Sequence, residues 1–133
     1  MSAAFDWSAV YETGFAEVDA QHRRLVDMIN RMATPDGAAD DALFDELLDY
    51  AARHFADEEV LMSQQRLSAA AVAAHVAQHR GFVAEVLALR QGGGGDKDAA
   101  TLQRYLASWL AFHILGTDRA MASQIRLVQA GVD

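Results

Sequence analysis

The chain has 133 residues, 52% of them apolar, and a formal charge of −8 from 11 Lys+Arg against 19 Asp+Glu. That length suits a single domain over residues 1–133 with a real core, and the apolar content argues against disorder. The acidic balance, with no basic cluster, argues against nucleic acid and anionic membrane surfaces. The absence of cysteine removes disulfides, thiolate metal sites and cysteine nucleophiles.

Residues 1–17 hold Trp7, Tyr11 and Phe15 among small and acidic residues, and read as an arm packed on the body. They show neither a basic n-region nor a continuous apolar run, so a signal peptide is not expected. A first helix is expected over about residues 18–32, where Val18, His22, Leu25, Ile29 and Met32 share one face. Thr34-Pro35-Asp36-Gly37 should end it. Asp40 or Asp41 can cap a second helix with Phe44, Leu47, Ala51, His54, Glu58, Leu61 and Gln65 along one stripe. Ser68 is the expected N-cap of a third, whose inner stripe is Val72, His75, His79, Phe82, Val86 and Leu89.

Residues 91–97 contain Gly92, Gly93, Gly94 and Gly95, which read as a helix-to-helix connection. A phosphate loop would need a strand before it and Lys-Ser/Thr after it. Asp98 then caps a fourth helix with Leu102, Leu106, Trp109 and His113 in line, and a short last helix is expected over about residues 119–129. The longest apolar stretch, residues 67–77, is broken by His75 and too short to span a bilayer, so no membrane insertion is expected. The cytoplasm is the default location. No segment alternates with the period of a strand. The expected fold is all-α: an antiparallel up-down-up-down four-helix bundle with an N-terminal arm and a short C-terminal helix.

All five histidines lie on the apolar stripes of these helices, with Glu58 and, near the last of them, Asp118. One such histidine is usually a core residue with a single hydrogen bond. Five of them beside a buried carboxylate point elsewhere, because a desolvated carboxylate must be paired or metal-bound and no Lys or Arg shares those stripes. His54 and Glu58, and His75 and His79, are four apart and therefore one turn apart on one face. Seven donors exceed what one ion needs, and two ions sharing the two carboxylates fit better. Imidazole and carboxylate suit iron, zinc, copper or nickel. His113 and Asp118 are five apart, which on a regular α-helix leaves them about 140° apart. A break or π-bulge is therefore expected around Gly116.

The run Asp19-Ala20-Gln21-His22-Arg23-Arg24-Leu25 resembles the first-helix motif of hemerythrins and bacteriohemerythrins. His54-Phe55-Ala56-Asp57-Glu58-Glu59, followed by Leu61-Met62, resembles the second. His75 and His79 with Phe82 resemble the third, and Trp109-Leu110, His113-Ile114, Gly116 and Asp118 the fourth. Trp7, Tyr11 and Thr13-Gly14 are similar to the family's arm. One departure is the connection Gln64-Gln65-Arg66-Leu67-Ser68, where the family often has Tyr-Pro; its conformation stays open.

The resemblance implies a bundle holding a non-haem di-iron centre, two Fe ions with an oxo or hydroxo bridge, that binds O2 reversibly. It implies that His75, His79 and His113 fill one iron, that His22 and His54 hold the other with one position open, and that Glu58 and Asp118 bridge both. Phe55, Trp109, Leu110 and Ile114 flank these ligands and could wall the open position, or could equally be plain core. The expected role is O2 carriage, storage or delivery, with O2 as the partner and an O2-consuming enzyme as recipient. The alternatives are a di-iron enzyme turning over peroxide or nitric oxide, and an O2 or redox sensor read by a partner. No Glu-x-x-His repeat of the carboxylate-rich oxidases occurs, which disfavours strongly oxidising chemistry and leaves peroxide or nitric oxide turnover open. The sequence leaves the oligomeric state open.

Overall fold

The computed structural model describes residues 5–32, 41–92 and 99–131. The turn signal Thr34-Pro35-Asp36-Gly37, the caps Asp40 and Asp98, the glycines from Gly93 to Gly95 and the side chain of Leu89 lie outside them. Four long helices follow in order: α1 (Ala16–Asn30), α2 (Asp41–Gln64), α3 (Ala69–Gly92) and α4 (Ala99–His113). A π-helical turn (Ile114–Asp118) then leads into α5 (Arg119–Gln129). No strand occurs among the described residues. Helix α1 packs against α2 and α4, and α2 against α3. This is the four-helix bundle that the helical periods call for, with α5 appended.

The inner stripes are buried as their spacing requires. Val18, His22, Leu25 and Ile29 of α1, and Phe44, Leu47, Ala51, His54 and Glu58 of α2, are all buried. Most of the apolar side chains form one large cluster that includes Leu25, Phe44, Phe55, Phe82, Leu106 and Leu110. A second, small cluster joins Met62 of α2 to Met121 and Ile125 of α5. Helix α5 therefore does for one end of the bundle what the long helices do for the rest: it covers apolar surface that would otherwise face water.

Helix α1 begins two residues before the expected start, and the arm leading into it is firmly held. The Asp19 carboxylate is buried and accepts from Thr13 N and Thr13 Oγ1, both at 2.8 Å, and from Gly14 N at 3.2 Å. Gly14 has φ +90°, a conformation costly to a residue with a Cβ. The Arg126 guanidinium of α5 donates to the Thr13 carbonyl. Further out, Asn30 exchanges two 2.9 Å hydrogen bonds with the backbone of Phe5, whose ring packs on Tyr11 at 4.8 Å. Three aromatics carried the expectation of an ordered arm, and Phe5, only 4% exposed, anchors it more deeply than any of them.

The proline-free connection between α2 and α3 has a definite form. Arg66 sits in the left-handed region at φ 60°. Leu67 N donates to Met62 O and Arg66 N to Ser63 O, each at 3.2 Å. This is the hydrogen-bond pattern of a Schellman C-cap, and Leu67 packs on the Met62 cluster as that motif favours. Ser68 then caps α3, accepting from Ala71 N at 3.1 Å. Two adjacent caps reverse the chain without proline.

Candidate metal centre

Each long helix delivers its donors to one layer of the bundle. His22 comes from α1, His54 and Glu58 from α2, His75 and His79 from α3, His113 from the end of α4, and Asp118 from the end of the π turn. All seven are buried, none more than 4% exposed. The π turn decides the last position: the chain widens over Ile114–Asp118, and Asp118 returns to the side of His113, with Oδ1 3.2 Å from His113 Nε2. The expected distortion is present. The space where a Cβ on Gly116 would point is empty, and nothing around that residue explains the turn.

Five imidazoles aim Nε2 at the two carboxylates. Glu58 Oε1 lies 3.1 Å from His79 and 3.4 Å from His75, and Oε2 lies 3.0 Å from His54 and 3.4 Å from His22. Asp118 Oδ2 is 2.9 Å from His22, and Oδ1 is 2.9 Å from His75. The donors fall into two groups: Glu58, His75, His79, His113 and Asp118, and His22, His54, Glu58 and Asp118. Both carboxylates belong to both groups. One group has three imidazoles and the other two.

The far sides of three rings are tied down. His54 Nδ1 donates to Gln21 Oε1 at 2.6 Å, His79 Nδ1 to Glu59 Oε2 at 3.1 Å, and His113 Nδ1 to Gln78 Oε1 at 2.9 Å. The amides are themselves oriented. Gln21 Nε2 donates to Asp57 Oδ2, and Gln78 Oε1 accepts from Thr117 Oγ1.

The profile described as Hemerythrin HHE cation binding domain matches residues 13–125. The chain belongs to the hemerythrin family. A bacteriohemerythrin of Stenotrophomonas maltophilia is 33% identical over 125 residues, covering 90% of this chain and 80% of the relative. A bacteriohemerythrin of Methylococcus capsulatus is 30% identical over 125 residues, covering 88% and 93%. A hemerythrin-like protein of Naegleria gruberi is 29% identical over 114 residues, covering 86% and 87%. The profile's own description is of cation binding.

The donor chemistry of this hemerythrin domain fits cations. An acceptor at Nδ1, as His54, His79 and His113 each have, holds the ring proton there and leaves Nε2 as the atom that can offer a lone pair to a metal. Those lone pairs face carboxylate oxygens, which are acceptors too. None of the five Nε2 atoms and none of the four carboxylate oxygens makes a hydrogen bond, though all are buried. Lone pairs meeting lone pairs across about 3 Å repel unless a positive charge lies between them.

Without metal, protons supply part of that charge. Burial pushes His22 and His75 down, but the Asp118 and Glu58 carboxylates beside them outweigh it and hold each up at about 9. Burial pushes Glu58 and Asp118 up, and the surrounding imidazoles more than offset this, holding both carboxyls well below the usual range.

Of the four expected pocket residues, two pack directly on cluster imidazoles. Phe55 stacks on His79 at 4.0 Å and Trp109 on His113 at 4.5 Å. Phe55, Trp109 and Leu110 line a small apolar cavity with Leu25, Ala51 and Phe82, among others. Leu25 and Ala51 lie one turn from His22 and His54. Ile114 is fully buried in the same apolar cluster but does not line this cavity.

The sequence reading missed Gln21, Glu59 and Gln78. Each immediately precedes or follows a donor, and Gln21 and Glu59 also stand inside the motif runs of the first and second helices.

Proposed function

We propose that this chain binds O2 reversibly at a non-haem di-iron centre held by His22, His54, Glu58, His75, His79, His113 and Asp118. The observation that carries this reading is the uneven division of donors around two shared carboxylates. With Glu58 and Asp118 common to both positions, His75, His79 and His113 complete one ion. His22 and His54 leave the other a donor short, and that vacancy suits a small ligand. Iron held by these seven residues would supply the reversible electron transfer that O2 binding needs.

The chain's own residues make such binding reversible. Gln21, Glu59 and Gln78 hold three rings with Nε2 directed inward. Phe55, Trp109, Leu110 and Ile114 keep water away, so that a proton does not reach a reduced ligand easily. The cavity that the first three line has room for the centre of one small molecule, about 10 Å³. A lone water there would find no polar partner, whereas an apolar diatomic needs none. The reading makes the chain a cytoplasmic carrier or store, handing O2 to an oxygen-consuming enzyme.

Metal analysis of purified protein, with optical spectra cycled between argon and air, tests the proposal. Two irons per chain with a colour that comes and goes is the expected result. One iron, another metal, or bleaching that consumes O2 without recovery would overturn it.

A further inference from the structure

Seven buried donors raise the question of how a hydrated cation reaches them. Helices α1 and α2 leave a cleft of about 410 Å³ between them, lined by Phe15, Val18, Val60 and Leu61 along its apolar walls and by Glu17, Gln21, Asp57, Glu58 and Gln64. Of the seven cluster residues, Glu58 alone lines it. That residue is 1% exposed, and neither of its carboxylate oxygens has a hydrogen-bond partner. Glu17 and Asp57, both exposed, add two more carboxylates, and no Lys or Arg lines the cleft. Other surface clefts differ. The two along α3 each present Arg80, and the one beside the arm presents Arg119 and Arg126.

We propose that the α1–α2 cleft is the port through which a hydrated divalent transition-metal cation reaches the cluster, with Glu17 and Asp57 drawing it in and Glu58 as its first buried ligand. Three carboxylates with no Lys or Arg among them, set between low-dielectric walls, concentrate a divalent cation at the mouth. The amides of Gln21 and Gln64 offer neutral oxygens as water is shed. Gln21 already bonds His54 and Asp57, so the port wall is continuous with the scaffold that aims His54. Glu58 then passes the ion on, because each of its oxygens faces a different pair of imidazoles. The port rests on the metal reading above but not on O2 binding.

Metal exchange in the loaded protein tests it. Ferrous protein is mixed without air with excess isotopically labelled ferrous ion, and label per chain is followed with time. Val60 lies at the mouth, is 54% exposed and takes no part in the cluster, so it accepts substitution. Val60→Trp should slow exchange at every ionic strength by obstruction. Val60→Lys should slow it about three- to five-fold at low salt, from one unit charge repelling a divalent ion across about 10 Å of water. That difference should fade at high salt. Leu87→Lys, which places the same charge on the α2–α3 cleft, should leave the rate unchanged. All three should hold the wild-type amount of metal. Exchange at the wild-type rate in both Val60 variants, or slowing by Leu87→Lys instead, would overturn the port and leave the metal centre standing. Failure of the wild-type chain to hold ferrous ion would overturn both.

Discussion

The two halves of the donor cluster are built differently. On the α3–α4 side three imidazoles converge, and two of them are oriented through Nδ1 by Glu59 and Gln78. On the α1–α2 side there are two, and only His54 is oriented, by Gln21; His22 Nδ1 is buried without a partner. The crowded half is saturated with protein donors and braced from behind. The sparse half adjoins the negatively charged cleft through Gln21, whereas the apolar cavity touches both halves, through Leu25 and Ala51 beside His22 and His54 and through Phe55 and Trp109 against His79 and His113. The contrast teaches a division of labour on the proposed reading: one position serves as a fixed anchor, and the other is left incomplete where ligands arrive.

Removing what the halves share should have the largest effect. Glu58→Ala takes a donor from both groups and should abolish two-metal occupancy, read as metal per chain; two metals retained would refute the shared role. His54→Ala strikes the sparse half alone. It should leave one metal on the α3–α4 side and eliminate O2 binding, seen as loss of the reversible colour.

Acidity should act on both halves, because His22 belongs to one and His75 to the other. Each is raised from 6.5 to about 9 in the metal-free fold. Their contribution to metal-free stability is therefore full below about pH 6.5 and lost as pH rises through about 9. Glu58 and Asp118 are lowered, so theirs is present above their ordinary values of 4.5 and 3.8 and lost as pH falls below them. Thermal melts of metal-depleted protein should show greatest stability between about pH 4.5 and 6.5. Metal must displace the imidazole protons, so metal affinity should climb toward pH 9, on the order of tenfold per pH unit for each proton displaced. A flat affinity profile would contradict the raised imidazoles.

The bracing residues should matter less than the ligands. Gln21→Ala and Gln78→Ala loosen one ring each, in the sparse and the crowded half respectively. Each should weaken metal binding by about 10- to 100-fold, measured by competition with a chelator, with the helical content unchanged. A larger loss for Gln21→Ala would sharpen the contrast, since a half with fewer donors depends more on each one. The smallest effect lies away from both halves. Arg66→Gly relieves a left-handed residue at the α2–α3 turn and should raise stability by about 0.5–1 kcal/mol, with metal content untouched.

Much of this was legible in the residues. Helical spacing fixes which side chains share a face, so the burial of all five histidines and Glu58 followed from position alone. The five-residue step from His113 to Asp118 demanded a distortion because a regular helix cannot close it, and the π turn is there. Ser68 capped where its side chain could reach Ala71 N. What spacing along one helix cannot tell is which neighbour each face will meet. The bond from His54 to Gln21 spans 33 residues of chain and that from His113 to Gln78 spans 35, and such pairs exist only once the helices have chosen their partners and register. The same holds for Phe5 beneath the arm and for the acidic cleft, whose walls come from separate helices. The sequence by itself determined the donors, the side of each helix they occupy and, through its motifs, their expected division around two shared acids; only the packing of four helices decided which partners brace them and where the cleft and cavity open, because those contacts join residues far apart in the chain.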